Sequence, residues 1–240
     1  MAVRVGTSGY SYTEWKGNFF PADLPSSRML EFYAQKLSTV EINNTFYRMP
    51  TGAALAHWAE QVPERFVFAL KAPQRITHRK QLLDSGDETS HFLSLTSEFG
   101  PKLGPLLFQL PPFMKKDLGR LREFLDSLPK SFSFAFEFRH PSWMDDEVFD
   151  ALRRKNAALC IADTDEREAQ VVPTATWGYL RLRRSDYPSD ALDAWAQRVV
   201  KQWQQAFVYF KHEDKGQGPK FAAEFEAAVK RLAPTTSDIS

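Results

Sequence analysis

Cysteine is almost missing, with Cys160 alone in 240 residues. A single thiol excludes an internal disulfide and any cysteine-rich zinc centre. Within ALCIAD it reads as a small core residue. A surplus of one charge is also missing: 31 basic side chains meet 30 acidic ones, for a net charge of +1. No global field therefore draws the chain to nucleic acid or to a membrane surface. No run of about 18 apolar residues is long enough to cross a bilayer. The opening MAVRVGTSG enters a strand at once without a leader pattern, so a cytoplasmic protein is expected. A glycine-rich phosphate turn is lacking too. GTSGY after the first strand is not GxGxxG, and GQGP at 216–219 reads only as a loop. That weighs against an open dinucleotide-binding sheet.

What is present is a globular composition, 43% apolar and 25% charged, with 20 Phe, 7 Tyr and 6 Trp to fill a sizeable core. Short β-rich runs alternate with amphipathic runs. The strand candidates are 3–8, 39–43, 66–72, 106–111, 132–139, 158–163, 177–183 and 206–212. Between them lie helical patterns such as SRMLEFYAQKL, for which Ser26 and Ser27 are candidate caps. In KFAAEFEAAVKRL, Phe221, Phe225, Val229 and Leu232 recur at helical spacing. Strict β-then-α order implies parallel strands with right-handed crossovers. Eight units in this length predict an α/β fold, a single TIM-like (β/α)8 barrel over 1–233. DTDEREAQVVPTAT carries no helical pattern, so the unit between strands six and seven is irregular. The basic stretch after the third strand, residues 72–90, is a candidate lid, and 234–240 reads as a mobile tail.

In a parallel barrel the active site forms at the C-terminal strand ends. Nearly every predicted strand turns polar there. In chain order these residues are Thr7, Glu41, Asn43, Lys71, Gln109, Glu137, Arg139, Asp163 and Arg181, with His140 directly after the fifth strand. Glu137 and Arg139 are two apart and share one face. Burying unpaired charge costs several kcal/mol, so such a set implies mutual pairing around a wet cavity. Arg183 reads as a strand end facing outward, and His78 as a loop residue. Tyr10, Tyr12, Trp15, Phe19 and Phe20 either wall the pocket or pack over the barrel top.

Several stretches, VGTSGYSYTEWKGNFFP, VEINNTFYRMP, FVFALKAPQRITH, GPLLFQLPP, FAFEFRHPSW and GYLRLR, resemble in order the motifs of the family called domain of unknown function 72, or YecE-like. The resemblance runs from Val3 to about Leu232. It implies a TIM-like barrel and points to Glu41, Lys71, Glu137, Arg139 and Arg181. It supplies no activity. Where the family often has an asparagine-rich stretch after strand eight, this chain has FKHEDKGQGP, so the resemblance assigns no role to His212 or Glu213.

The leading expectation is acid–base chemistry, of hydrolase, lyase or isomerase type, on a small anionic substrate. Glu41 and Glu137 are the catalytic carboxylates. Lys71, Arg139 and Arg181 hold the anion, joined by Thr7, Asn43, Gln109, His140 and Asp163. Three alternatives stay open. Glu41 and Glu137 could form a glycosidase-like pair. Glu41, Glu137, Asp163 and His212 could bind a divalent metal, although no cofactor is required. The basic loop RITHRK could serve nucleic-acid binding or ligand sensing.

Overall fold

A computed structural model describes residues 2–166 and 169–232. In chain order the elements are β1 (Ala2–Ser8), α1 (Met29–Lys36), β2 (Thr39–Ile42), α2 (Asn44–Tyr47), α3 (Gly52–Glu60), β3 (Val67–Lys71), α4 (Gly86–Thr96), β4 (Leu103–Gln109), α5 (Leu118–Ser127), β5 (Phe134–Glu137), α6 (Asp146–Arg154), β6 (Ala158–Asp163), β7 (Trp177–Leu182), α7 (Ser189–Gln202), β8 (Gln205–Phe210) and α8 (Gln217–Leu232). The strands are parallel and close into a barrel in sequence order, β8 pairing with β1. This is the expected TIM-like (β/α)8 architecture. No described residue between β6 and β7 is helical, so that unit is irregular as its sequence implies. The expected tail, 234–240, lies outside the described residues.

Strand pleat divides the core in two. One face of each strand packs against the helices through Phe68, Phe108, Phe136, Val208 and Phe210. The other fills the barrel. There Trp177, Tyr179, Phe207 and Tyr209 from β7 and β8 meet Ala69, Ala135 and Ala158 from the opposite wall. Large residues facing small ones fill a tapering interior without strain. Gly6 is required at its place, because a Cβ there would lie 1.9 Å from the Thr39 carbonyl oxygen.

Helix starts follow local chemistry. Thr51, Asp117 and Asp145 accept hydrogen bonds from the first-turn amides of α3, α5 and α6. Ser26 and Ser27 do not cap α1. They form a short 3-10 turn leading into it, and α1 begins with no side-chain cap. The stretch after β3 is anchored at several points: Ile76 and Leu82 are buried in the core, and Arg75 and Lys80 both grip Glu88. No described helix is long and apolar enough to cross a membrane.

Candidate active site

Register explains how the polar residues meet at the C-terminal mouth. Ser8 pairs with Glu41 across β1 and β2, and Gln109 pairs with Glu137 across β4 and β5. Each pair stands side by side on the inner face. The Ser8 hydroxyl donates to Glu41 Oε1, and Gln109 Nε2 donates to Glu137 Oε2 at 2.8 Å. Arg181 arrives from β7 and joins the two. Its Nη2 donates to Glu41 at 2.9 Å and its Nη1 to Glu137 at 2.6 Å. Ala162 and Ala69 stand beside Arg181 and Glu41 in the ladder and leave room for this fork.

The shell around the fork is nearly complete. Glu41 also accepts from the Tyr179 hydroxyl at 2.6 Å, and Asn43 Nδ2 donates to Ser8 Oγ at 2.8 Å. Glu41, Glu137 and Arg181 are all buried. Burial alone would raise the Glu137 carboxyl. The Arg181, Arg183 and Arg139 guanidiniums and the Gln109 amide outweigh it and hold the group well below the usual carboxylate range. Burial works against the Arg181 charge, yet Glu41 and Glu137 keep it firmly protonated. The Tyr179 hydroxyl is pushed far up by burial and by Glu41, so it stays a donor.

Outward from the fork the cations are less occupied. Arg139 lies just past the end of β5. Its side chain is 36% exposed and touches Glu137 only at 3.3 Å. The Arg183 side chain, 20% exposed, approaches Glu137 at 3.8 Å, and its buried Nε has no acceptor. Both line a cavity of about 340 Å³ with Glu137, Cys160, Ala162 and Thr164. The cavity follows from a splayed seam. β5 and β6 pair only at Ala135–Ala158 and Phe136–Leu159, then diverge. Cys160 sits in the inner core, where burial raises its thiol well above the ordinary range.

Lys71 stands at the end of β3, partly exposed, its Nζ 3.7 Å from the centroid of the Phe46 ring. It has no ion pair and no side-chain hydrogen bond among the described residues. Burial, then the Arg181 charge, lowers its pKa to about 8. His78 packs edge-on against the same Phe46 ring, and burial followed by Lys71 lowers its pKa to about 4.

Three of the sequence candidates lie elsewhere. Thr7 and Asp163 occupy the opposite pleat and face the helix layer. Thr7 Oγ1 donates to the Gly9 carbonyl at 2.6 Å and lies 2.9 Å from the Tyr33 hydroxyl. Asp163 accepts from the Tyr187 hydroxyl at 3.0 Å and pairs with Arg184 at 2.9 Å. His140 Nδ1 accepts from the Ser142 amide at 3.2 Å and so holds the turn after β5. Trp15 and Phe20 are fully buried and stack at 5.9 Å, so they pack over the barrel top. Ser8, Tyr179, Arg183 and His78 also stand at the mouth, Arg183 facing inward where its sequence context suggests a strand end facing outward. Tyr179 and Arg183 share the parity of Arg181 along the seventh strand, the one signal the sequence carries for them. Among the described residues no group of three or more His, Cys, Asp and Glu side chains is arranged to hold a metal ion.

Comparison with known proteins agrees with this picture. The UPF0759 protein YecE of Escherichia coli K12 is 27% identical over 237 residues, spanning 85% of this chain and 87% of that protein. A DUF72 family crystal structure from Thermotoga maritima superposes with a TM-score of 0.81 at 24% identity, covering 96% of this chain and all of that one. Another, from Enterococcus faecalis, gives 0.76 at 17% identity over 98% of this chain and all of its own. The model of the family described as protein of unknown function DUF72 matches residues 4–238, and the chain belongs to that family.

Proposed function

We propose that the chain is an enzyme that carries out acid–base chemistry on a small, polar, anionic substrate at the C-terminal mouth of the barrel. One observation carries this reading. Four cations, Lys71, Arg139, Arg181 and Arg183, converge on a mouth whose two carboxylates, Glu41 and Glu137, both accept from Arg181. Two of these cations, Arg139 and Arg183, are partly solvent-facing and line a cavity of small-molecule size together with Glu137 and Glu166. Arg139 and Arg183 take the anionic group, since a guanidinium fork suits carboxylate and phosphate oxygens. Glu41 and Glu137 fix Arg181 in place, Glu137 being held ionised, and Gln109 and Asn43 complete the polar wall.

The same geometry weighs against a glycosidase-like pair. That reaction needs a carboxyl free to protonate the leaving oxygen, and both glutamates are engaged by Arg181. A divalent metal would have to displace Arg181 from both glutamates.

The test is a thermal-shift panel of sugar phosphates, organic acids, neutral sugars, divalent metals and short oligonucleotides, run on wild type and on Arg139→Ala. A ligand that binds only the folded state adds about 2.7 kcal/mol at about 100 Kd. A small anion should raise Tm in wild type and much less in Arg139→Ala. A shift with neutral sugars, metals or oligonucleotides alone overturns the proposal.

A further inference from the structure

The two cations nearest the barrel axis, Arg181 and Lys71, have opposite surroundings. Arg181 spends its donors on two carboxylates and a hydroxyl. Among the described residues Lys71 has only the face of Phe46. An ammonium needs acceptors or water, and an aromatic face replaces them only in part. The charged and titratable groups acting on Lys71 come from three strands and one loop. They are Glu41 on β2, Glu137 and Arg139 at the end of β5, Arg181 on β7 and His78 after β3. Arg181 and Arg139 oppose the ammonium while Glu137 and Glu41 favour it, and burial is the largest influence against the charge. An amine desolvated against a ring and set beside other cations is the arrangement that frees a lysine lone pair at neutral pH.

We infer that Lys71 is a nucleophilic amine that forms a Schiff base with a substrate carrying both an aldehyde or ketone and a carboxylate or phosphate. This rests on the anion-binding reading of the mouth and narrows it. The anionic group docks at Arg139 and Arg183, and the carbonyl faces Lys71. The amine lone pair forms a C–N bond as the carbonyl π pair moves to oxygen. One proton passes from nitrogen to that oxygen, giving a carbinolamine. The proton that the ammonium first released to solvent returns to the carbinolamine hydroxyl, the C–O bond breaks, and water leaves. The protonated imine then carries the single positive charge that the ammonium carried before. It draws electrons from the neighbouring carbon, as proton abstraction or C–C cleavage requires. His78, neutral at physiological pH, packs edge-on against the same Phe46 ring.

At pH 7 an amine with a pKa about 8 is deprotonated ~100-fold more often than an ordinary lysine. The experiment exposes the full chain to pyridoxal 5′-phosphate, to glyoxylate, or to pyridoxal, which lacks the phosphate. Cyanoborohydride then traps the adducts, and peptide mass spectrometry maps them over time. Lys71 should dominate the early adducts with the two anionic probes, should react at least about tenfold more slowly with pyridoxal, and should speed up as pH rises through about 8. Lys71→Arg keeps the charge and should abolish the fast phase. Labelling spread over surface lysines with Lys71 unmodified overturns the inference. If both anionic probes then still raise Tm without a Lys71 adduct, only the nucleophile falls and the anion site stands. If they neither label Lys71 nor raise Tm, both readings fall. The phosphate and carboxylate probes, compared with each other, tell which anion the site prefers.

Discussion

The β7 and β3 walls face each other across a ring of eight strands, and each sets a cation at the mouth. On the β7 wall, Arg181 is buried and joined to Glu41, Glu137 and Ser8. On the β3 wall, Lys71 is partly exposed and, among the described residues, meets only an aromatic ring. Both are basic residues at the ends of inward-facing strands, yet their chemistry differs. A guanidinium presents several donors in a rigid plane and can clamp two acids at once, whereas an ammonium is a compact charge that loses its proton when desolvated. Arg181 therefore ties the barrel together, while Lys71 is left able to react. Position at a strand end selects which residues meet, and the set of partners decides what each does.

Arg181→Met attacks the first half of that comparison and should have the largest effect. Among the described residues it leaves buried Glu41 without a cation and Glu137 with only the looser contacts to Arg139 and Arg183. Breaking a buried pair from one side costs about 3–5 kcal/mol, so urea unfolding should show a loss of that order. A loss under about 1 kcal/mol would mean that the fork is hydrated and does not tie the barrel. Glu137→Gln should cost less, about 2 kcal/mol, because an amide still accepts from Gln109 and Arg181. Its signature lies in pH. The folded carboxyl titrates below its unfolded value, so its stabilisation is complete above about pH 4.3 and fades as pH falls below that. Wild type and Glu137→Gln should therefore converge in stability under acid. Parallel acid limbs would remove Glu137 from the linkage.

The barrel was legible because β and α patterns alternate strictly, and the mouth because its polar residues sit at strand ends. The pleat is harder to read. Thr7 and Ser8 are adjacent, and a step of one residue moves a side chain to the other face of a strand. Asp163 and Ala162 differ in the same way, and Ala162, the inward one, carries no signal beyond leaving space for Arg181. Tyr179 was missed because a tyrosine in an aromatic strand reads as core, and its hydroxyl matters only once β2 is known to bring Glu41 within 2.6 Å. Arg183 was read as outward although it keeps the parity of Arg181. The cavity had no sequence mark at all, because it arises where β5 and β6 stop pairing.

Thr7→Val separates the two faces of β1 at smaller cost. It removes a buried hydroxyl that donates to the Gly9 carbonyl, and loss of one such bond is worth about 1 kcal/mol. Anion-induced shifts in Tm should be unchanged, since Thr7 faces the helices and Ser8 faces the fork. A loss of anion binding equal to that of Arg139→Ala would place Thr7 in the mouth after all.

The smallest expected effect falls on the β3 wall, and its sign is what matters. Lys71→Met exchanges an unpaired, desolvated cation for an apolar chain that still packs on Phe46. Stability at pH 7 should change by less than about 1 kcal/mol, with the variant equal to or above wild type. Between the folded pKa of about 8 and the unfolded value near 10.4, the unfolded chain binds more protons at this lysine. Wild-type stability should therefore rise with pH relative to Lys71→Met across that window, as burial of the amine ceases to oppose a charge. Lys71→Arg keeps its charge throughout and should show no such rise. A loss of several kcal/mol in Lys71→Met at pH 7, with no change in its gap to wild type up to pH 10, would mean that Lys71 is clamped as Arg181 is. The two walls would then be alike.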